Sequence, residues 1–94
     1  MFKITRSEDG RILLEGRLDA SQVETAAQIL DTVNTSAVVD FAHLDYISSA
    51  GLGILLKTQK RISAGGNSLK LINMNKMIRD VFRIARFDLV FTIE

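Results

Sequence analysis

The residues whose types could do chemistry stand together in mid-chain, where His43 precedes Ser48-Ser49-Ala50-Gly51 by a few positions. A serine at the start of a helix supports three kinds of chemistry. It caps the helix by accepting a bond from an orphaned backbone N–H, typically worth about 1 kcal/mol. It attacks an acyl group if a general base lies within hydrogen-bonding reach and a third group orients that base. Or it accepts a phosphoryl group, gaining about −1.5 to −2 charges and three acceptor oxygens. Capping needs one serine and leaves the other without a structural reason. The nucleophilic reading is poorly supported, because the sole histidine lies just before the turn and Ile47-Ser48-Ser49-Ala50-Gly51 lacks the first glycine of a hydrolase elbow. The chain is therefore read as no enzyme, with no catalytic residue. Nucleotide binding is also weakly supported, since there is no Gly-rich loop ending in Lys-Ser or Lys-Thr and no G-x-G-x-x-G stretch. Phosphorylation by a kinase fits better. A helix N-terminus tolerates the added anion, whereas a partner presenting acidic or apolar surface to the same turn does not.

Composition excludes several other functions. There is no cysteine, hence no disulfide framework, thiol nucleophile or thiolate metal site, and one histidine cannot assemble a zinc cluster. No metal and no cofactor is expected. Twelve Lys and Arg against eleven Asp and Glu leave a formal charge of +1, which gives no general attraction to nucleic acid or anionic lipid. The basic stretches Lys57 to Arg61 and Arg79 to Arg86 are read as solvated helix faces. No apolar run approaches the roughly 18 residues of a membrane span, and the alternating, charged start is unlike a signal peptide. The expected location is cytoplasmic, with any membrane met through a partner. A length of 94 residues, 47% of them hydrophobic, suits one soluble domain over residues 1–94 with one core.

The elements that position the serines follow from periodicity. Phe2 and Ile4 alternate with Lys3 and Thr5, Glu8-Asp9-Gly10 supplies turn chemistry, and alternation resumes from Arg11 to Leu18. A β-hairpin is expected, with Gly16 marking a close backbone approach. Asp19 with Gln22, or Ser21 with Glu24, can cap a first helix running from about Ala20 to about Thr32. Ala37 to Phe41 reads as a central strand, and Ala42 to Ile47 as a connecting loop anchored by Leu44 and Ile47. A second helix is expected from near Ser49 to Gly65-Gly66. Its first turn carries Gly51 and Gly53, each costing about 1 kcal/mol relative to Ala if fully helical. Bulk must be excluded there, by a neighbouring strand or by something docking from outside. Ser68 to Ile72 is a further strand. Asn75 caps a third helix with Met77, Ile78, Val81, Phe82 and Ala85 as core, and Asp88 to Ile93 is a last strand bearing Leu89, Phe91 and Ile93 on one side. The order β-β-α-β-α-β-α-β predicts a small α/β domain. Its sheet is mixed and mostly parallel, with an antiparallel N-terminal edge strand and helices covering the faces. Strand ends and the following helix starts gather at the carboxyl edge of such a sheet, so Asp19 and Ser21 should lie beside the serine turn, Asp19 more as a cap than as a contact.

The stretch from Val39 to Leu56, centred on Ile47-Ser48-Ser49-Ala50-Gly51-Leu52-Gly53, closely resembles the signature of the STAS domain of sulfate transporters and bacterial anti-sigma factor antagonists. Glu15-Gly16-Arg17-Leu18-Asp19 resembles the family's segment at the end of the second strand, and Asn75 to Phe82 its third-helix motif. The resemblance spans nearly the whole chain. It implies an anti-sigma factor antagonist in which Ser49 is the phosphoacceptor and Ser48 holds the turn. It further implies a partner-binding surface of Asp19, Ser21, Ser48, Ala50, Gly51 and Gly53. The implied partners are an anti-sigma factor serine kinase, bound while Ser49 is unphosphorylated so that a sigma factor is freed, and a serine phosphatase. The alternative is a non-enzymatic adaptor subunit of a membrane transport complex, and some members sense nucleotides. Ser48 replaces the acidic residue of many phosphorylated members. Ile84-Ala85-Arg86-Phe87 stands where many relatives have a Thr-Gly-Leu-like ending, and Arg86 reaches positive φ less cheaply than Gly. Many relatives also continue past the last strand into another helix, so a face left open beyond Glu94 invites weak self-association or a second component.

Overall fold

The computed structural model describes residues 1–94. At the N-terminus the alternating runs form a hairpin of β1 (Phe2–Arg6) and β2 (Ile12–Leu18), antiparallel, with Phe2 opposite Gly16 and Arg6 opposite Ile12. Its turn is closed from within. Ser7 N donates to Arg11 O at 2.8 Å, the Asp9 carboxylate accepts from the Ser7 hydroxyl and the Arg11 N–H, and Gly10 takes φ 87°. Gly16 is the close approach that its position suggested. At φ 86°, a Cβ there would lie 1.9 Å from the Met1 carbonyl oxygen, which accepts a 2.9 Å bond from Arg17 N.

Three further strands, β3 (Ala37–Ile47), β4 (Leu69–Ile72) and β5 (Thr92–Ile93), join in parallel to complete a sheet of order β1-β2-β3-β4-β5. Helices α1 (Val23–Leu30), α2 (Ser49–Ser63) and α3 (Lys76–Ile84) make the crossovers. Because strand order follows chain order, right-handed crossovers carry every helix over the same face. The register agrees. Ile12, Val39 and Leu71 lie side by side and are buried, as are Leu18 and Ile47, whereas Leu13, Asp40 and Ile72 on the reverse face are half-buried. The helices thus cover one face of the sheet, and the other is open. The covered side holds one continuous core built around Phe41, Phe82, Leu14, Leu30, Leu55 and Leu69.

Four local expectations are corrected. Ala42 to Ile47 is not a loop but the second half of β3. Relative to β2, β3 gains one residue between Asp40 and His43 and another between Leu44 and Tyr46, and these bulges space its buried residues as Val39, Phe41, Leu44 and Ile47. The broken alternation hides a strand. The first helix is shorter than expected, since Ala20–Gln22 is a 3-10 turn and α1 starts at Val23. Asp19 causes this by accepting from both the Ser21 N–H (3.0 Å) and the Ser21 hydroxyl (2.6 Å), a local arrangement that competes with a regular first turn. Of the third helix's expected core, Ile78 and Phe82 are buried and Val81 is half-buried, but Met77 and Ala85 are exposed. Finally, the last strand is only Thr92–Ile93, preceded by a 3-10 turn at Phe87–Leu89 that exposes Leu89. Arg86 adopts the left-handed conformation, φ 62° and ψ 24°, despite its side chain. The turn it begins brings Phe87 and Phe91 edge-on to Phe82, at centroid distances of 6.2 and 5.8 Å, which compensates the strained residue.

Candidate functional site

Parallel pairing of β2 with β3 ends at Leu18 beside Ile47, and the ladder gains one more rung where Ser48 N donates to Leu18 O at 2.9 Å. Both chains then leave the sheet at its carboxyl edge. One enters the Asp19 turn and the other enters α2, so the sheet itself brings Asp19 and Ser21 to the side of the serine turn, and the Ala20–Gln22 turn packs against α2.

The two serines divide the work. Ser48, extended at φ −93° and ψ 174°, is the N-cap of α2, its Oγ accepting from Gly51 N at 3.3 Å and its carbonyl from Leu52 N at 2.9 Å. Ser49, the first helical residue, is exposed, and its hydroxyl has no hydrogen-bond partner in the protein. Ala50 beside it is half-buried.

The two glycines also differ. A Cβ on Gly51 would meet Ile47 Cγ1 at 2.8 Å, Leu18 Cγ at 2.9 Å and the Leu18 carbonyl oxygen at 3.0 Å, so this glycine lets α2 press against the ends of β2 and β3. Gly53 is exposed, with nothing within 4 Å of the equivalent position, and no contact inside the molecule requires it.

Asp19 is half-buried and turned into its own loop. The two bonds from Ser21, then the nearby Arg17 and the N-terminus, hold its carboxyl below the ordinary aspartate value. Ser21 is exposed but spends its N–H and hydroxyl on Asp19. His43 projects on the open side of the sheet in register with Glu15. Five steps along the chain separate it from Ser48, roughly 16 Å at the usual rise. Neither serine hydroxyl is hydrogen-bonded to a His, Asp or Glu side chain, and no group of three or more His, Asp or Glu residues is placed to hold a metal. A cavity of about 290 Å³ lies at the opposite end of the sheet, between Arg6, Arg11, Thr35 and Ser36. No helix is long and apolar enough to cross a membrane.

One feature of this edge was not singled out in the sequence. Arg17 lies over the Tyr46 ring at 4.3 Å, a pair set by the second bulge of β3 and so invisible to any simple register. Lys57, expected on a solvated helix face, does share the exposed side of α2 with Ser49 and Gly53 at i, i+4, i+8 spacing.

Comparison with known proteins agrees with this fold. The family model described as "Mlab, STAS domain" matches residues 2–92. BtrV of Bordetella bronchiseptica, named as an anti-sigma factor antagonist, is 36% identical over 72 residues, which is 77% of this chain and 61% of that relative's length. Among solved structures, an anti-sigma factor antagonist from Mycobacterium paratuberculosis superposes with a TM-score of 0.83 at 15% identity, covering 99% of this chain and 83% of that one. The unphosphorylated form of the anti-sigma factor antagonist SpoIIAA gives 0.69 at 22% identity, covering 88% and 82%. The phosphorylated form of the Bacillus protein gives 0.71 at 20% identity, covering 100% and 91%. At such identities the structures establish a shared fold. With the family model matching almost end to end, the chain belongs to the STAS domain family.

Proposed function

We propose that this chain is an anti-sigma factor antagonist acting as a phosphorylation-controlled binding switch, with Ser49 as phosphoacceptor. The observation that carries this reading is the division of labour at the turn. Ser48 does the capping, while Ser49 stands in solvent with a hydroxyl committed to nothing. A hydroxyl without a base is a substrate for another enzyme rather than a nucleophile of its own, so the domain is acted upon and performs no catalysis.

The mechanism follows from helix-end electrostatics. The first backbone N–H groups of α2 have no intrahelical acceptor, and the dipole favours negative charge there. A phosphoryl group on Ser49 is therefore tolerated by the fold. The same group places about two negative charges and their hydration shell on the surface that a partner must cover. The expected partners are an anti-sigma factor serine kinase, which binds the unmodified form and so frees its sigma factor, and a serine phosphatase that resets the cycle. Asp19, Ser21, Ala50 and Gly53 form the rim of the contact, with Ser48 and Gly51 shaping it from within. The similarity to a protein named as an anti-sigma factor antagonist supports this assignment.

The second reading is a non-enzymatic adaptor in a membrane transport complex, in which the same surface docks constitutively. Ser48, in place of the acidic residue of many phosphorylated members, favours it. Calorimetric titration of the purified kinase-type anti-sigma factor from the same organism with wild type and Ser49→Asp separates the two. The switch requires binding by the wild type and loss of affinity in the Asp form. Equal affinity of both forms refutes it and leaves the adaptor.

A further inference from the structure

The two edges of the sheet are finished differently. At one edge β5 is two residues long, and so short a strand offers little for another chain to pair with. At the other edge β1 is five residues long, contains no proline and pairs with β2 without a bulge, so the backbone devices that usually blunt an edge are missing. Its two charges are already engaged within the molecule. Lys3 lies opposite Glu15 of β2, and the Arg6 guanidinium donates to Thr32 Oγ1 at 3.2 Å. Phe2 and Ile4, the apolar residues of the strand, are only half-buried.

The hairpin fixes which backbone groups this edge leaves over. Ser7 N donates to Arg11 O and Arg17 N to Met1 O, and bonded pairs alternate with unbonded ones in an antiparallel ladder, so the bonded pairs within β1 are Lys3 with Glu15 and Thr5 with Leu13. The N–H and C=O groups of Phe2, Ile4 and Arg6 therefore point away from β2. No strand lies on that side, and no turn, loop or side-chain hydrogen bond reaches them. A second copy of the same strand matches this row. Antiparallel pairing about a two-fold axis at Ile4 sets Ile4 against Ile4, Phe2 against Arg6 and Lys3 against Thr5, so every free group of both strands finds a partner. Ile4 meets its counterpart on the helix-covered side, the Arg6 stem lies beside the Phe2 ring, and no like charges stand opposite each other. A shift of the axis by one residue loses this match. Centred on Lys3 it opposes two lysines, and centred on Thr5 it sets Phe2 against Glu8, which already belongs to the hairpin turn.

We propose that β1 is a self-association edge, through which two copies of this chain pair antiparallel about Ile4 and join their five-stranded sheets into one continuous sheet. The two-fold axis is perpendicular to the sheet, so the helices of both copies lie on the same face. The two serine turns then fall at opposite ends of the joined sheet, and neither is covered by the other copy. A contact made by one short strand from each copy belongs with small, weak interfaces, so the association is concentration-dependent. It requires nothing of Ser49 and stands apart from the switch.

Sedimentation equilibrium of wild type, Thr5→Glu, Thr5→Lys and Ile4→Pro tests the pairing and its register, with circular dichroism checking the fold. Thr5 lies on the open face of the sheet, so its substitutions change chiefly what Lys3 of the second copy meets. Ile4→Pro removes an N–H that the fold itself does not use, at an edge position where proline is tolerated. The wild type should show a monomer–dimer equilibrium at concentrations up to about 1 mM. Thr5→Glu should tighten it and Thr5→Lys weaken it, each by about fivefold, because the altered pair occurs twice about the axis. Ile4→Pro should be monomeric. A wild type that stays monomeric throughout overturns the proposal, as does a dimer that persists in folded Ile4→Pro. So does a dimer that the two Thr5 variants shift in the same direction or leave unchanged, and this comparison decides the matter if Ile4→Pro does not fold.

Discussion

Two glycines separated by a single residue in α2 should respond to the same substitution with opposite signs. Gly53→Ala adds a methyl group into open space on an exposed helical position, and so gains helix propensity of about 0.5–1 kcal/mol. Gly51→Ala gains at most a similar amount, because it lies in the first turn, but its Cβ would sit 2.8–3.0 Å from Ile47 Cγ1, Leu18 Cγ and the Leu18 carbonyl oxygen. The two side chains can shift. The carbonyl cannot move freely, since it accepts the 2.9 Å bond from Ser48 N that joins the serine turn to β2. Overpacking of this kind costs about 1–3 kcal/mol, leaving a net loss of up to about 2.5 kcal/mol after a propensity gain of about 0.5–1 kcal/mol. Urea unfolding followed by far-UV circular dichroism reads both variants at unchanged m-value. In thermal unfolding each kcal/mol corresponds to about 4–8 °C in a domain of this size. Gly53→Ala should rise and Gly51→Ala should fall. Movement of both in one direction would refute the claim that one glycine serves the fold and the other does not.

Other perturbations follow from the same geometry. Gln59 is buried, its Oε1 accepting from Leu69 N at 2.8 Å and its Nε2 donating to Val90 O at 3.3 Å, so Gln59→Met strands both backbone groups and should cost about 1–3 kcal/mol in chemical denaturation. Arg86→Gly removes a side chain from a left-handed residue and should raise stability by about 1 kcal/mol in the same assay, with near-ultraviolet circular dichroism of the Phe82, Phe87 and Phe91 cluster unchanged. Asp9 and Asp19 both titrate below the ordinary value of 3.8, chiefly because Ser7 and Ser21 respectively donate hydrogen bonds to them. Their contribution is therefore complete above that value and is lost as pH falls through the lowered folded values. Melting temperature should drop on acidification below about pH 4, and the drop should be shallower in Asp9→Asn/Asp19→Asn.

The sequence carried the element order, and the failures have a common cause. Asn75 caps α3 through Ile78 N at 2.8 Å, as its position before an apolar-periodic run predicted, and Ser48 caps α2. Capping is local chemistry and is legible locally. The second half of β3 was hidden because two bulges, defined only against β2, break its alternation. The last strand is shorter than its alternation predicts because of tertiary packing as well. Leu89, Phe91 and Ile93 alternate as a strand would, yet the edge-on packing of Phe87 and Phe91 on Phe82 turns the chain at Arg86 and leaves Leu89 in solvent. Periodicity places Met77 in the core, but the core stripe of α3 ends at Val81 on that flank because α2 does not close over it. At the site itself, the sequence could offer two serines and two glycines. The resemblance already implies Ser48 for the turn and Ser49 for modification, and the structure adds the cap bond to Gly51 N; only the structure separates the glycine pressed against a strand from the one facing open space.

The central claim is that Ser49 is the residue acted upon, and intact-mass analysis tests it most directly. Wild type and Ser49→Ala are each incubated with ATP and the purified anti-sigma factor kinase of the same organism, with Ser48→Ala as a control for the cap. The account predicts a single phosphoryl addition on the wild type and none on Ser49→Ala, while Ser48→Ala remains a substrate. Phosphorylation of Ser49→Ala to the same extent as wild type, or none on any form, would contradict it.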